Sequence, residues 1–413
     1  MLVCPVAGIH GCWRRVFCHP SGIKSISKGG RLASCQRVTV ESKAAHCLAL
    51  ADDTLQVLQQ KNRQLRSKLA TLRWPPLTSV RFNGQSFPLP LQSEQPDLSR
   101  LAAHELEYLA GFFDGDGCVY ATAGRCCLSV GQSIDGAEVL KYFQGALGGS
   151  ICRHRDGVGL RKPTLQWTVR GSAARLAASL LAPYSIVKRK QLEICAEWPA
   201  GHANRAGCSA KLVLLKRKDS GIIGKCSWAY LAGFFDAEGH IRHSRAFITL
   251  ELQQKFITVL ECVQTFLASE MCVKVHVRQR SNNFALSIYT TSTSKSILQG
   301  MLDAGMLRKA AQAELALSLT SENAVELRLT MAGIVGNQNF GRRLDSAGLQ
   351  RASAIVSSRQ QAKRAEKNGQ MSFAKSIWAN VEQQKCEHEL LNARRENYEL
   401  HAYVDHIHAM YQD

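Results

Sequence analysis

The sequence predicts an α+β fold: two pseudo-symmetric αββαββα halves packed through one repeated helix, with helical extensions at the N- and C-terminal ends. Three observations carry this expectation. A ten-residue stretch occurs twice, YLAGFFDGDG at 108–117 and YLAGFFDAEG at 230–239, identical at eight positions, as a duplicated unit would give. The same succession of helical and strand periodicities follows each copy. Inside each copy a small pair, Ala110-Gly111 and Ala232-Gly233, removes bulk beside an apolar stripe, so that two helices can approach with their backbones nearly touching.

Taken in order, residues 1–45 read as a leader of organelle-transit type, because the first 40 residues hold six Lys or Arg and no acid. A mitochondrial or chloroplast location follows as the expectation. Residues 46–98 read as an amphipathic helix over 46–73, through Leu48, Leu55, Leu58, Leu65, Leu69 and Leu72, then a Pro-rich linker. The first repeat spans 99–200. Asp97 or Ser99 is the expected cap of its motif helix. Two strands around Gly124, a helix over 137–147, and a hairpin of 150–155 with 164–170 come next. That hairpin carries Arg153 and Arg155 and a Gly-rich basic tip at 156–162. Residues 201–226 form a basic linker, and 227–320 repeat the pattern. In 272–280, Val273, Val275 and Val277 alternate with Lys274, His276, Arg278 and Arg280. One apolar and one basic face suits a sheet backed by helices whose front meets phosphate. Residues 321–413 read as a charged helical extension, with Phe373, Ile377 and Val381 at helical spacing and an apolar patch at Tyr403, Val404 and Ile407.

Charge narrows the partner. The net charge of +19 is spread unevenly, with 26 basic and 17 acidic residues over 101–320 against 12 and 11 over 321–413. An excess of that sign on the duplicated region suits a polyanion. No run approaches the roughly 18 apolar residues of a membrane span, so no membrane partner is expected. Fifteen scattered cysteines without a CxxC pair read as free, mostly buried thiols rather than a disulfide framework or zinc site. His240 and His243 have a ligand-like spacing but read as part of a nucleic-acid-facing strand.

The motif itself points to chemistry. Leu106, Leu109, Phe112 and Phe113 form the stripe, and each motif helix is expected to stop at an acid-Gly pair, Asp116-Gly117 and Glu238-Gly239. Two packed copies bring these acids together. A carboxylate at the negative end of a helix dipole is unfavourable unless a cation accompanies it, which points to metal.

These residues resemble the LAGLIDADG homing endonucleases in their single-chain, two-motif form, over about residues 100–320. The resemblance implies that the motif helices form the interface between halves. It also implies that the eighth motif residues, Asp116 and Glu238, bind the metal for site-specific cleavage of double-stranded DNA by phosphodiester hydrolysis. Mg²⁺ is the expected ion, since hard oxygen ligands and phosphate favour it. By the family's pattern, Gln132 and Gln254 end the second strand of each half, and Lys188 and Lys309 fall near the end of each repeat, around the same centre. A monomer with a pseudo-dimeric core follows. The alternative is an organellar RNA-binding maturase on the same scaffold, acting on structured intron RNA. Two departures stand out: Glu238 is longer than Asp116, and Gly115 stands where the second copy has Ala237.

Overall fold

The computed structural model describes residues 54–82, 84–92, 101–244, 247–334 and 340–411. The leader at 1–45 and the expected caps Asp97 and Ser99 lie outside the described residues. Helix α1 (Leu55–Thr71) starts at Thr54, whose hydroxyl accepts from the Val57 N–H. The Pro-rich stretch read as a linker is largely strand. β1 (Ser79–Phe82) and β2 (Gln85–Pro88) form an antiparallel hairpin, and β3 (Leu91–Gln92) joins the sheet of the first half. Val80 and Phe82 enter the core, Pro88 ends β2, and Pro90 immediately precedes β3. These strands are set by distant partners, which local composition does not reveal.

The first half follows the expected order. Helix α2 (Ala103–Asp116) begins at Ala102, whose N–H donates to the Glu105 carboxylate at 3.0 Å. β4 (Gly117–Thr122) and β5 (Arg125–Ser133) turn on Ala123 and Gly124, both at positive φ, as a two-residue hairpin requires. Then come α3 (Ala137–Leu147), β6 (Ser150–Arg155), β7 (Thr164–Arg170), α4 (Gly171–Leu181) and α5 (Arg189–Ala196). The sheet order is β3-β6-β7-β5-β4. Helices cover one face of it, burying Leu128, Val130, Trp167 and Phe143.

The basic linker contains a helix, α6 (His202–Leu215), anchored by Leu212. The second half consists of α7 (Trp228–Glu238), β8 (Gly239–Ser244), β9 (Phe247–Gln254), α8 (Thr258–Met271), β10 (His276–Gln279), β11 (Phe284–Ile288), α9 (Thr291–Asp303) and α10 (Ala310–Leu317), with sheet order β10-β11-β9-β8. β10 is shorter than the alternation at 272–280 predicts, because Cys272 is the left-handed C-cap of α8. Val275 is nevertheless buried while Lys274, His276, Arg278 and Arg280 are exposed. His240 and His243, three apart on β8, point to opposite faces, so they do not form a ligand pair.

The motif helices α2 and α7 form the centre of the molecule. A Cβ on Gly111 would lie 2.1 Å from the Tyr230 carbonyl oxygen, and one on Gly233 would lie 2.0 Å from that of Tyr108. Gly115 likewise leaves room for the Ala237 methyl, which a Cβ would approach to 2.4 Å. Gly117 and Gly239 close their helices at negative φ, so they are not the left-handed stops expected. They are needed for space, since a Cβ would meet the Phe113 or Phe235 ring at 2.4 or 2.3 Å.

Beyond the second half lie α11 (Ala324–Ile334), α12 (Ser346–Lys367) and α13 (Met371–Ala409). α12 and α13 pack through Ile355, Ala362, Ile377 and Val381, whereas Phe373, predicted on this stripe, is exposed. The other end of α13 packs on α1: Leu69, Leu400, Val404 and Ile407 form one cluster, joined by Leu160 and Trp74. The tip of the β6–β7 hairpin is thereby covered, with the Trp74 N–H donating to the Gly157 carbonyl and the Gly159 N–H to that of Leu72. One cysteine expectation is also corrected, because Cys126 on β5 and Cys195 on α5 form a disulfide with Cα atoms 5.8 Å apart. Eight other described cysteines are free. Among the described residues, no helix is long and apolar enough to cross a membrane.

Candidate active site at the paired helix ends

The site is assembled at the C-terminal ends of α2 and α7. Asp116 is exposed at its centre, and its Oδ2 accepts from Gln132 Nε2 at 2.6 Å. Glu238 lies alongside, its Cγ 3.0 Å from where a Gly115 Cβ would sit, and Gln254 hydrogen-bonds its carboxylate. Both glutamines stand near the ends of their strands. Atoms crowding the inner side of each carboxylate push its pKa up, and for Glu238 the Asp116 charge adds to that push. Asp116 opens to solvent, which moderates the effect. A carboxyl whose ionisation is made costlier by a second one beside it marks a place where a cation is favoured.

Each lysine reaches its own helix end. Lys188 Nζ donates to the carbonyls of Phe113 at 2.8 Å and Gly115 at 3.1 Å, and to that of Asp114. Lys309 Nζ donates to Phe235 at 2.9 Å and to Asp236. The last carbonyls of a helix lack intrahelical donors and carry its negative pole, so an ammonium there satisfies both. Burial lowers the Lys188 pKa against the pull of Asp114, Asp116 and Glu238. Burial and the neighbouring Arg308 lower that of Lys309 to about 8.

Sequence reasoning missed the residues that hold these lysines. Asp114, 2% exposed, accepts from the N–H groups of Ile186, Val187 and Lys188, from the Ser185 hydroxyl, and from the Tyr230 hydroxyl at 2.7 Å. Asp236 accepts from the N–H groups of Leu307, Arg308 and Lys309 and from the Tyr108 hydroxyl at 2.7 Å. Each lysine loop is thus fastened to its own motif helix and latched by a tyrosine from the other. The signal was present, since Tyr and the first Asp recur in both copies.

The predicted nucleic-acid contacts lie away from this centre. Arg153 and Arg155 are exposed on β6, with Arg153 Nε 3.6 Å from Asp156. Lys274 precedes β10, and His276 and Arg278 lie on that strand, the outer edge of its sheet. Arg280 is held at 2.9 Å by Glu251, an acid within the basic face.

No family model and no curated protein matches the sequence. Solved structures do match. The LAGLIDADG homing endonuclease I-GzeII in complex with its DNA target is 11% identical, with TM-score 0.42 over 58% of this chain and 99% of that one. The chain is similar to LAGLIDADG endonucleases. Another, the LAGLIDADG meganuclease I-AabMI bound to uncleaved DNA, is 17% identical, with TM-score 0.41 over 55% of this chain and 98% of that one. I-SmaMI, bound to uncleaved DNA with calcium ions, is 15% identical, with TM-score 0.41 over 55% of this chain and 98% of that one. No group of three or more His, Cys, Asp or Glu side chains able to hold a metal occurs among the described residues. Asp116 and Glu238 place one carboxylate from each half at the paired helix ends.

Proposed function

We propose that the chain is a LAGLIDADG-type DNA endonuclease that hydrolyses phosphodiester bonds in double-stranded DNA with Mg²⁺. The observation that carries this reading is the meeting of Asp116 and Glu238 at two adjacent helix ends, each carboxylate bonded by a glutamine and each helix end capped by a lysine. The donor set fits a hard divalent cation: anionic oxygens at the negative poles of two helices, with one acid open to solvent. Such an ion supplies charge neutralisation on the attacking and leaving oxygens of a phosphoryl transfer.

The chain's own residues supply geometry. Gln132 fixes the rotamer of Asp116, and Gln254 does the same for Glu238. Lys188 and Lys309 hold the two helix ends at a set spacing and lend positive charge to a site that must accept phosphate. The sheet faces with Arg153, Arg155, Lys274, His276, Arg278 and Arg280 bind the flanking duplex, where phosphate contacts set register.

The test is cleavage and binding of a duplex recovered from a randomised library. Asp116→Asn and Glu238→Gln should each lower cleavage in Mg²⁺ by at least about 100-fold, while binding in Ca²⁺ stays equal or tightens as negative charge beside phosphate is removed. Wild-type protein that binds the selected duplex tightly yet leaves it uncut in Mg²⁺ refutes the reading. Binding lost in step with cleavage assigns the acids a structural role instead.

A further inference from the structure

We infer that Arg308 makes the two halves of the site unequal: it reaches from the second half to stabilise the phosphate cut on the Asp116 side, so that the two strands of a duplex are cut at different rates. This rests on the endonuclease reading above. The two lysine loops can be matched atom by atom, because three consecutive N–H groups in each bind the buried motif aspartate. Ile186, Val187 and Lys188 bind Asp114, and Leu307, Arg308 and Lys309 bind Asp236. Arg308 therefore stands where the first half has Val187. In a site otherwise repeated acid for acid, amide for amide and lysine for lysine, this position breaks the symmetry.

The side chain does not stay in its own half. Arg308 Nη1 donates to the Asp236 carbonyl at 3.0 Å, which anchors the guanidinium at the end of α7. A Cβ on Gly136, in the first half, would lie 3.2 Å from Arg308 Nε and 3.1 Å from Gln132 Oε1. Gln132 in turn holds Asp116. The arginine thus lies over a glycine that leaves it room, beside the amide that orients the first acid, and it is exposed.

The chemistry favours the side that has the arginine. In hydrolysis the water oxygen bonds to phosphorus and one ester P–O bond breaks, its electron pair leaving with the sugar oxygen. The water loses a proton and the departing oxygen gains one. Negative charge is carried by the phosphoryl oxygens throughout, and a planar guanidinium already tethered by one hydrogen bond meets them with little loss of side-chain freedom. Valine at the mirrored position supplies nothing equivalent.

The experiment uses the full chain and a duplex selected from a randomised library, end-labelled on each strand in turn, with nicking of both strands followed in Mg²⁺. Arg308→Val should slow one strand by about 100-fold and the other by less than about threefold, since loss of one preorganised donor at a transition state costs about that much. Arg308→Lys should recover part of the lost rate, and Val187→Arg should narrow the difference between strands in the wild-type background. An equal slowing of both strands, or an unchanged ratio, overturns the inference while leaving the endonuclease reading intact. Absence of any cleavage by wild type overturns both. Should Arg308→Val lower the melting temperature enough to obscure the rates, the strand ratio in Val187→Arg decides: an unaltered ratio there refutes the inference.

Discussion

Gly111→Ala adds one methyl group at the crossing of α2 and α7, and its cost can be worked from the contact it would make. The new Cβ would lie 2.1 Å from the Tyr230 carbonyl oxygen. Carbon and carbonyl oxygen rest at about 3.3 Å even in close helix contacts, so the helices must separate by roughly 1 Å. Forcing a methyl into such a contact costs about 1–3 kcal/mol. The same separation stretches the two tyrosine–aspartate bonds, now 2.7 Å each, and a buried hydrogen bond to a charged group is worth about 1.5–3 kcal/mol. Against this, alanine is the better helix former by about 1 kcal/mol. A net loss of about 3 kcal/mol follows, or roughly 4 °C in melting temperature at an unfolding entropy of about 2.1 cal/mol/K per residue. Gly145→Ala and Gly207→Ala are the controls, being helical positions where a Cβ would meet nothing within 4 Å. Differential scanning calorimetry of the three variants decides the matter. If Gly111→Ala melts with the controls, at or above wild type, the helices do not touch as described.

Two further predictions concern the groups around the acids. Tyr230→Phe removes one of five donors to Asp114 and should cost about 1.5–3 kcal/mol in urea unfolding; no loss of stability would show the latch to be dispensable. Lys309 has a folded pKa of about 8 against about 10.4 for a free lysine. Below pH 8 both states are protonated and the buried charge costs on the order of 3 kcal/mol. Between pH 8 and about 10.4 the unfolded chain holds more protons, so this cost fades and stability rises with pH. The stability of wild type minus that of Lys309→Met in metal-free buffer should therefore increase across this window, and a flat difference would refute the assignment.

What was legible in the sequence was whatever repeats or alternates locally. The duplicated motif announced the helix interface, and its Ala-Gly pairs announced how closely it packs. The valine–cation alternation separated the buried Val275 and half-buried Val273 and Val277 from the exposed Lys274, His276, Arg278 and Arg280. Lys188 and Lys309 are some 72 and 71 residues from the acids they approach (188 minus 116, 309 minus 238), so the family pattern rather than spacing identified them. Three of the misses share one cause. β3, the Cys126–Cys195 bond and the covering of the β6–β7 tip are all made by segments far apart in the chain, where local propensity is silent. Asp114 and Asp236 escaped for another reason. An acid beside two phenylalanines looks like an ordinary polar position until the loop that delivers four donors to Asp114, and the tyrosine that supplies a fifth, are in view.

The meeting of α1 with the end of α13 has a consequence for biosynthesis. Leu69 emerges from the ribosome more than 330 residues before Leu400 (400 minus 69), and at about 5–20 residues per second that interval is tens of seconds. During it the apolar faces of α1, Trp74 and the Leu160 tip have no C-terminal partner, while both halves of the core can already have formed. Late closure of this kind makes the chain's own last helix a folding step of high contact order, and for those tens of seconds it leaves a sticky surface within reach of chaperones.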